Sequence, residues 1–395
     1  MRILYIWDAD YPWDVRVEKI CMSLTAKGHE VHIAARNLKR RECYERLQDL
    51  HVHRIPTWEN EKLNYAFSFP AFFSPFWKRF LDKIITQQNI DLIIVRDLPM
   101  AIAGIWAGRR HSLPIIFDMA EDYVAMIRDI WRKRKFHGLN LVVRNPHLAK
   151  LVAKYSFKRF DHIMVVVEEA RDVAVRGGAL PERVIIVGNT PELHKIESTN
   201  SKEFHKVIVP RNHYTAIYTG GIQLGRGLQV VFRAIEEIIP KVPNFLFVVV
   251  GDGYAVSQLK ELAKKIGVEL YVNWVGWVDH HDLFQYIRNA DVGIIPHMRS
   301  AHVDTTVPNK IFDYMACGLP VIASDAPPMK RIVSDNDIGL VFKGGESSEL
   351  ANAIVEIYNS PKSYGENGRR AVQNRYNWSW DEKRLLSLIE NYSSA

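Results

Sequence analysis

Along the first half of the chain, short apolar runs alternate with segments of helical period. RILYIW opens the series, and a helical pattern from Val15 to Lys27 follows, with Gly28 where a helix C-terminus favours glycine. VHIAA (31–35), DLIIVRD (91–97), LPIIFD (113–118), HIMVVVEE (162–169) and RVIIVGN (183–189) are further runs. None alternates polar with apolar residues, so each predicts a strand buried on both faces, as in a parallel sheet covered by helices. The polar stretch 190–212 breaks the rhythm and places a linker at 196–212, with 207–209 open between strand and linker. The pattern then restarts with YTAIYTGG, a helix from Gly227 to Ile239, FLFVVVGDG, a helix from Val256 to Ile266, LYVNWVG, DVGIIP and LPVIASD. WSWDEKRLLSLIENY closes the chain as an amphipathic helix. The predicted fold class is α/β: two doubly wound domains, 1–195 and 213–375, facing across a cleft, with a terminal helix, 376–395, that crosses back to the first.

Length agrees with this division, because 395 residues exceed one ordinary core and suit two domains of about 200 residues. The start, MRILYIWD, reads as a buried strand, its apolar run being short for an export signal. No apolar run approaches the roughly 18 residues that span a bilayer. Cys21, Cys43 and Cys317 stand in no metal or redox spacing, which fits a reducing cytoplasm. The formal charge of +7 favours anionic partners without choosing among nucleotides, nucleic acid and membranes. GYAVSQL after VVVGDG lacks the dinucleotide-binding glycine spacing, which argues against a dehydrogenase.

The most informative stretch is VPNKIFDYMACGLPVIAS (307–324). Pro308 suits the first turn of a helix, Thr305 and Thr306 are candidate caps, and Gly318 with Pro320 ends the helix. Unpaired amides and the positive dipole end at such a start form an anion site, to which Lys310 adds a full charge. Asp313, one turn on, is a suitable acceptor for a pair of neighbouring hydroxyls such as a ribose diol. A capped, solvated surface helix is the alternative reading of the same residues.

This stretch resembles the nucleotide-binding signature of the retaining GT-B glycosyltransferases of family 4, which reads Pro-x-Lys-x-x-(Glu/Asp)-Tyr-x-Ala-x-Gly-x-Pro-Val-Ile. The resemblance runs through nearly the whole chain. VRVEKICMSLTAKGHEVHIAA, IIFDMAEDY, YTGGIQLGRGLQVVFRAI, VVVGDG and VNWVGWV follow in the family's order. It implies two Rossmann-like domains. It also implies a donor site in which Val307, Pro308, Asn309 and Lys310, with Thr305 and Thr306, meet the diphosphate of a nucleotide sugar. Asp313 would hold the ribose and Arg226 the phosphates. Gly220 and Gly221 would admit the donor, and Trp277 and Val278 would border the base. Asp118 and Glu121 are the acids implied to orient donor sugar or acceptor, with Asp14, Arg16, Arg96 and Asp97 on the acceptor side. The chain departs from the family pattern at Thr305, where the first of two glutamates stands, at Gly221, where many relatives carry arginine, and at Ala120, where many carry histidine.

The resemblance further implies retaining transfer of a hexose-type sugar to a lipid-linked or saccharide acceptor, in surface polysaccharide or glycoconjugate synthesis. No cofactor and no metal are expected. The run DAD at 8–10 is accordingly read as loop acids and not as a metal motif. A nucleotide-sugar 2-epimerase on the same fold and a non-catalytic nucleotide-sugar-binding scaffold are the competing readings.

The basic residues are concentrated in RDIWRKRK (128–135), Arg144, Lys150, Lys154, Lys158 and Arg159. Lys150, Lys154 and Lys158 form one stripe on a helix whose expected apolar face is Leu148, Leu151, Val152 and Tyr155. FSFPAFFSPFWKRF (67–80) adds aromatics. Together they suggest peripheral attachment to an anionic membrane surface, at the inner, cytoplasmic face. Packing of the aromatics in the core is the alternative. Nucleic acid is not expected, because the aromatics are not interleaved with the basic helix.

Overall fold

The computed structural model describes the whole chain except residues 13, 70–71, 134–140, 142–143, 198–211, 361 and 394–395. Most of the predicted linker, 196–212, and Arg134 and Lys135 of the basic run lie outside the described residues. Two compact units form: Met1–Asn189 with Asp381–Ala395, and Thr190–Trp380.

The first unit is built on an eight-stranded sheet in the order β3-β4-β2-β1-β5-β6-β7-β8. Its strands are β1 (Arg2–Asp10), β2 (Glu30–Arg36), β3 (Tyr44–Leu47), β4 (Leu50–Arg54), β5 (Leu92–Arg96), β6 (Ile115–Met119), β7 (His162–Val165) and β8 (Val184–Ile186). Every pairing is parallel except β3 with β4. That hairpin, YERLQDLHVHR, escapes a search for continuous apolar runs because an edge strand is only half covered and keeps polar side chains. β1 also runs further than its apolar residues suggest. Asp10 is its last residue and accepts from the N–H groups of Leu38 and Lys39 at 2.8 Å, so Asp8 and Asp10 are strand residues and not loop acids. From Asp381 onward the final helix, Trp378–Ser393, belongs to this unit, with Leu385, Leu388 and Ile389 buried.

The second unit carries six parallel strands in the order β11-β10-β9-β12-β13-β14: β9 (Tyr214–Thr219), β10 (Phe245–Val250), β11 (Val272–Gly276), β12 (Val292–Ile295), β13 (Val321–Ser324) and β14 (Gly339–Phe342). Two apolar layers cover its faces, one around Phe232, Phe247 and Ile354, the other around Phe284, Phe312 and Met315. The chain departs from β9 first to β10 and β11 on one side, then to β12 on the other. β9 and β12 therefore flank the point where winding reverses, as β1 and β5 do in the first unit. In open α/β sheets, the strand C-termini at such a point are where ligands bind.

An unforeseen cluster sits near the β3 edge. His32 Nδ1 lies 3.0 Å from His53 Nε2, and the His32 ring stacks on His51 and His53 with centroids 4.8 and 5.3 Å apart. Glu30 contacts His32 at 3.1 Å, and Tyr44 contacts His51 at 2.9 Å. Burial, with His32 and His51 adjacent, pushes His53 down to about 4, and burial also lowers His32. Both groups fold neutral, so their contribution is whole above the ordinary value of 6.5 and is lost as pH falls from there towards 4. Urea unfolding should show a stability loss between pH 7 and pH 5 that shrinks in His53→Gln; an unchanged pH slope in that variant contradicts the assignment.

Candidate functional site

The second unit's reversal point gathers the basic groups. Lys310 opens the helix Lys310–Cys317, and its Nζ lies 3.5 Å from the centroid of the Tyr218 ring at the end of β9, a cation–π contact. The same ammonium approaches Gly220 so closely that a Cβ there would stand 3.4 Å from it. Lys310 keeps some surface in solvent but is densely surrounded. That burial, with Arg226 beside it and only partly offset by Asp313, lowers its pKa well below the ordinary lysine value.

Arg226 ends a single 3-10 turn, Leu224–Arg226, and is placed by its neighbour. Gly227 adopts φ +81°, and a Cβ on it would sit 1.7 Å from the Pro296 carbonyl oxygen. Only glycine lets this turn lie against the end of β12. Gly220, at φ +112°, is exposed, and its N–H donates to Val250 at 2.8 Å. Gly221 is exposed and has open space around its Cβ position, where many relatives place an arginine.

The helix start differs from expectation in detail. The first helical residue is Lys310, with Asn309 as cap residue in helical φ/ψ and without a side-chain capping bond. Thr305 and Thr306 do not cap it. Their hydroxyls donate backward to the carbonyls of Ala301 and His302, at 3.1 to 3.3 Å, and close the preceding turn. Pro308 lies two residues ahead of the helix, and its carbonyl accepts from Ile311 at 3.1 Å. Among the described residues no backbone carbonyl accepts from the N–H groups of Val307 or Lys310, so both remain open to a ligand. Val307 packs on the core beside Phe312, and Asp313 is half-buried in the first helical turn. Trp277 and Val278 follow edge strand β11. Val278 packs on the core, while Trp277 is 73% exposed, and no contact joins it to Lys310 or Arg226 among the described residues.

The site also includes residues that sequence reading missed. Tyr218 is the aromatic floor under Lys310. His297, just past β12, is 1% exposed and has the cations of Lys310 and Arg226 as its electrostatic neighbours. The available signal was position: both lie at the C-terminal ends of the strands that flank the reversal point.

In the first unit, Asp14 caps the helix Val15–Ala26, accepting from Arg16 and Val17 N–H at 2.9 and 3.1 Å, and pairs with Arg96. The Arg96 guanidinium stacks 4.2 Å above the Trp7 ring, and its Nε lies 3.5 Å from Asp97. Asp97 has φ +60° and ψ 162°, a region nearly reserved for glycine, which costs on the order of 1–3 kcal/mol. Its N–H donates to the Asp118 carbonyl at 3.0 Å, while Oδ1 is buried without a partner. Burial, helped by Asp8 and Glu121 and opposed by Arg96, raises the Asp97 carboxyl well above its ordinary value. Asp8, at the end of β1, is pushed to about 6 chiefly by burial. Asp97, Asp8 and exposed Glu121 thus form an acidic group at this reversal point.

Asp118 does not join it as a substrate contact. Its side chain is fully buried, accepting from Tyr5 OH at 2.6 Å and from Arg16 Nη2 at 2.6 Å. Arg16, also buried, donates onward to the carbonyls of Val187 and Gly188 at 2.9 and 3.0 Å. Both residues were expected near a substrate. Enclosure makes them instead an internal brace that holds β6 and the first helix in place.

Comparison with known proteins places this architecture. Sucrose-phosphate synthase from Thermosynechococcus elongatus superposes with a TM-score of 0.78 at 17% identity over all of both chains. The Anabaena protein HepE, solved with UDP-glucose, gives 0.71 at 15% identity over 99% of this chain and 100% of its own. The fold is GT-B. Residues 14–190 match the glycosyl transferase 4-like domain and residues 213–360 match glycosyl transferases group 1. The chain belongs to the group 1, family 4 glycosyltransferases. Among curated relatives, an alpha-monoglucosyldiacylglycerol synthase from Streptococcus pneumoniae is 24% identical over 90% of this chain and 78% of its own.

Proposed function

We propose that this glycosyltransferase moves a hexose-type sugar, with retention at the anomeric carbon, from a nucleotide sugar to a lipid-linked acceptor at an anionic membrane surface. The observation that carries the reading is the meeting of the Lys310 and Arg226 side chains at the reversal point beside β9. Two cations crowded together, with the single carboxylate of Asp313 acting on Lys310, suit a diphosphate leaving group, whose charge grows as the glycosidic bond breaks. On this reading the bond from C1 to the phosphate oxygen breaks and the bond from C1 to the acceptor oxygen forms on the same face. The acceptor's proton passes to the departing phosphate. Lys310 and Arg226 supply the positive charge, so the reaction is proposed to need no metal. Asp97, whose carboxyl burial raises above its ordinary value, is assigned to contact the acceptor, with Glu121 on the same side. HepE, solved with UDP-glucose, supports the donor class, and the relative named as a glucosyl-diacylglycerol synthase supports a lipid acceptor.

The surface of the first unit supports the membrane part. Phe72 and Trp77 are core residues, but Phe73 and Phe76 are 60% and 41% exposed. The helix Pro146–Phe157 buries Ala149, Val152, Ala153 and Phe157, leaving Leu151 at 65% and Tyr155 at 37% exposure. This corrects the expected apolar face: Leu151 and Tyr155 point outward on the side that carries exposed Lys150, Lys154 and Lys158. Phe73 and Tyr155 line one depression with Lys78, Trp106, Arg109 and Arg110. Apolar tips among cations favour an anionic interface by about 1 kcal/mol per basic residue. Among the described residues no helix is long and apolar enough to cross a membrane.

The test supplies labelled nucleotide sugars, with EDTA present, to the protein and anionic vesicles containing extracted lipid. Label should enter the lipid fraction at low salt and fall severalfold at high salt as vesicle binding weakens. Conversion of the sugar to an epimer, or nucleotide-sugar binding without turnover for every donor, overturns the reading.

A further inference from the structure

His297 lies two residues past β12 in a site of unlike neighbours. It is 1% exposed, and neither Nδ1 nor Nε2 has a hydrogen-bond partner. Buried polar atoms are nearly always paired, and those left open at a strand end need an explanation. Lys310, from its helix, and Arg226, from its 3-10 turn, act electrostatically on the ring. Asp313 acts on Lys310, whose ammonium rests on Tyr218. In the loop beyond, Arg299 is held by Asp304 at 2.6 Å and by Asp325 at 3.1 Å. Lys310 and Arg226 outnumber the one carboxylate, Asp313, that acts on Lys310, and this excess of cationic side chains suits an anion. A neutral imidazole carries one N–H that can donate to it, and a second nitrogen that takes a proton once negative charge outweighs the two cations.

We propose that His297 is a ligand of the donor's diphosphate, giving one ring N–H to a phosphate oxygen and taking up a proton as that anion binds. This rests on the nucleotide-sugar reading above for the identity of the anion. Burial, Lys310 and Arg226 hold the imidazole well below its ordinary range, so it is neutral at pH 7. Once protonated, it adds a third positive charge at the position where the phosphate leaves.

Calorimetric titration with inorganic pyrophosphate and with UDP, in two buffers of different ionisation enthalpy at pH 7, counts the protons taken up. The wild-type protein should take up more than His297→Gln, by roughly half a proton or more. The variant should bind about tenfold or more weakly, the scale of a hydrogen bond to a charged group. Uptake by Lys310 persists in the variant and is thereby subtracted. In case His297→Gln fails to fold, nitrogen-15 histidine spectra of the wild type provide the second reading. One buried imidazole should pass from neutral to doubly protonated as pyrophosphate is added. Equal uptake in both proteins, no change in any histidine signal, or no pyrophosphate binding overturns the proposal. Histidine-linked pyrophosphate binding, with no nucleoside diphosphate binding more tightly than pyrophosphate, keeps His297 as an anion ligand and removes the nucleotide-sugar reading instead.

Discussion

Lys310→Met is expected to lower the rate of sugar transfer by about 10²–10³, the usual cost of removing one charge aimed at a developing anion. The fold should not suffer. The Lys310 ammonium is desolvated and crowded by Arg226, with its pKa depressed accordingly. Replacing such a group by an apolar one of similar length is often neutral or stabilising. The thermal midpoint should therefore stay level or rise while activity collapses. Initial rates with labelled donor and a melting curve on the same sample decide this. A rate within tenfold of wild type would mean that the phosphate is neutralised elsewhere.

A second large effect is expected in the first unit, where Asp118→Asn should destabilise by about 3–5 kcal/mol. The Arg16 guanidinium has no exit to solvent. It donates to Asp118 at 2.6 Å and to two carbonyls, and both partners are buried. Losing the carboxylate's charge strands a buried cation, and that uncompensated charge is the costly species. The pair removed together, as Arg16→Met with Asp118→Asn, should cost less than either single change. Denaturation midpoints of the four proteins form a double-mutant cycle. Equal and additive losses would contradict the brace. Because Asp97 donates its N–H to the Asp118 carbonyl, the strained turn at Asp97 should loosen along with it.

Much of the architecture could be read without coordinates. Continuous apolar runs marked β1, β2 and β5 to β13 as strands of parallel sheets, since burial on both faces removes polar alternation. Gly28 and Gly318 announced helix ends because αL geometry at those positions, φ +84° and +72°, favours a residue without Cβ. The β3–β4 hairpin was missed because its strands alternate polar with apolar residues, and β14 because Gly-Leu-Val-Phe is a run of only four residues. Thr305 and Thr306 looked like caps by spacing alone, yet a hydroxyl takes whichever acceptor the local turn offers, here carbonyls behind it.

Chain order and side-chain type were enough to identify the strands, the helix that opens at Lys310 and the basic residues a diphosphate would need, because these follow from local periodicity and covalent neighbours. Which groups meet is another matter. Asp118 and Arg16 are 102 residues apart and close on each other inside the first unit. Lys310 reaches Tyr218 across a similar gap in sequence, and buried His297 feels the charges of Lys310 and Arg226, which come from separate elements. Solvent exclusion and charge proximity depend on three-dimensional packing, and it is those two quantities that turn Asp118 into a brace, raise the Asp97 carboxyl above its ordinary value and lower the pKa of Lys310.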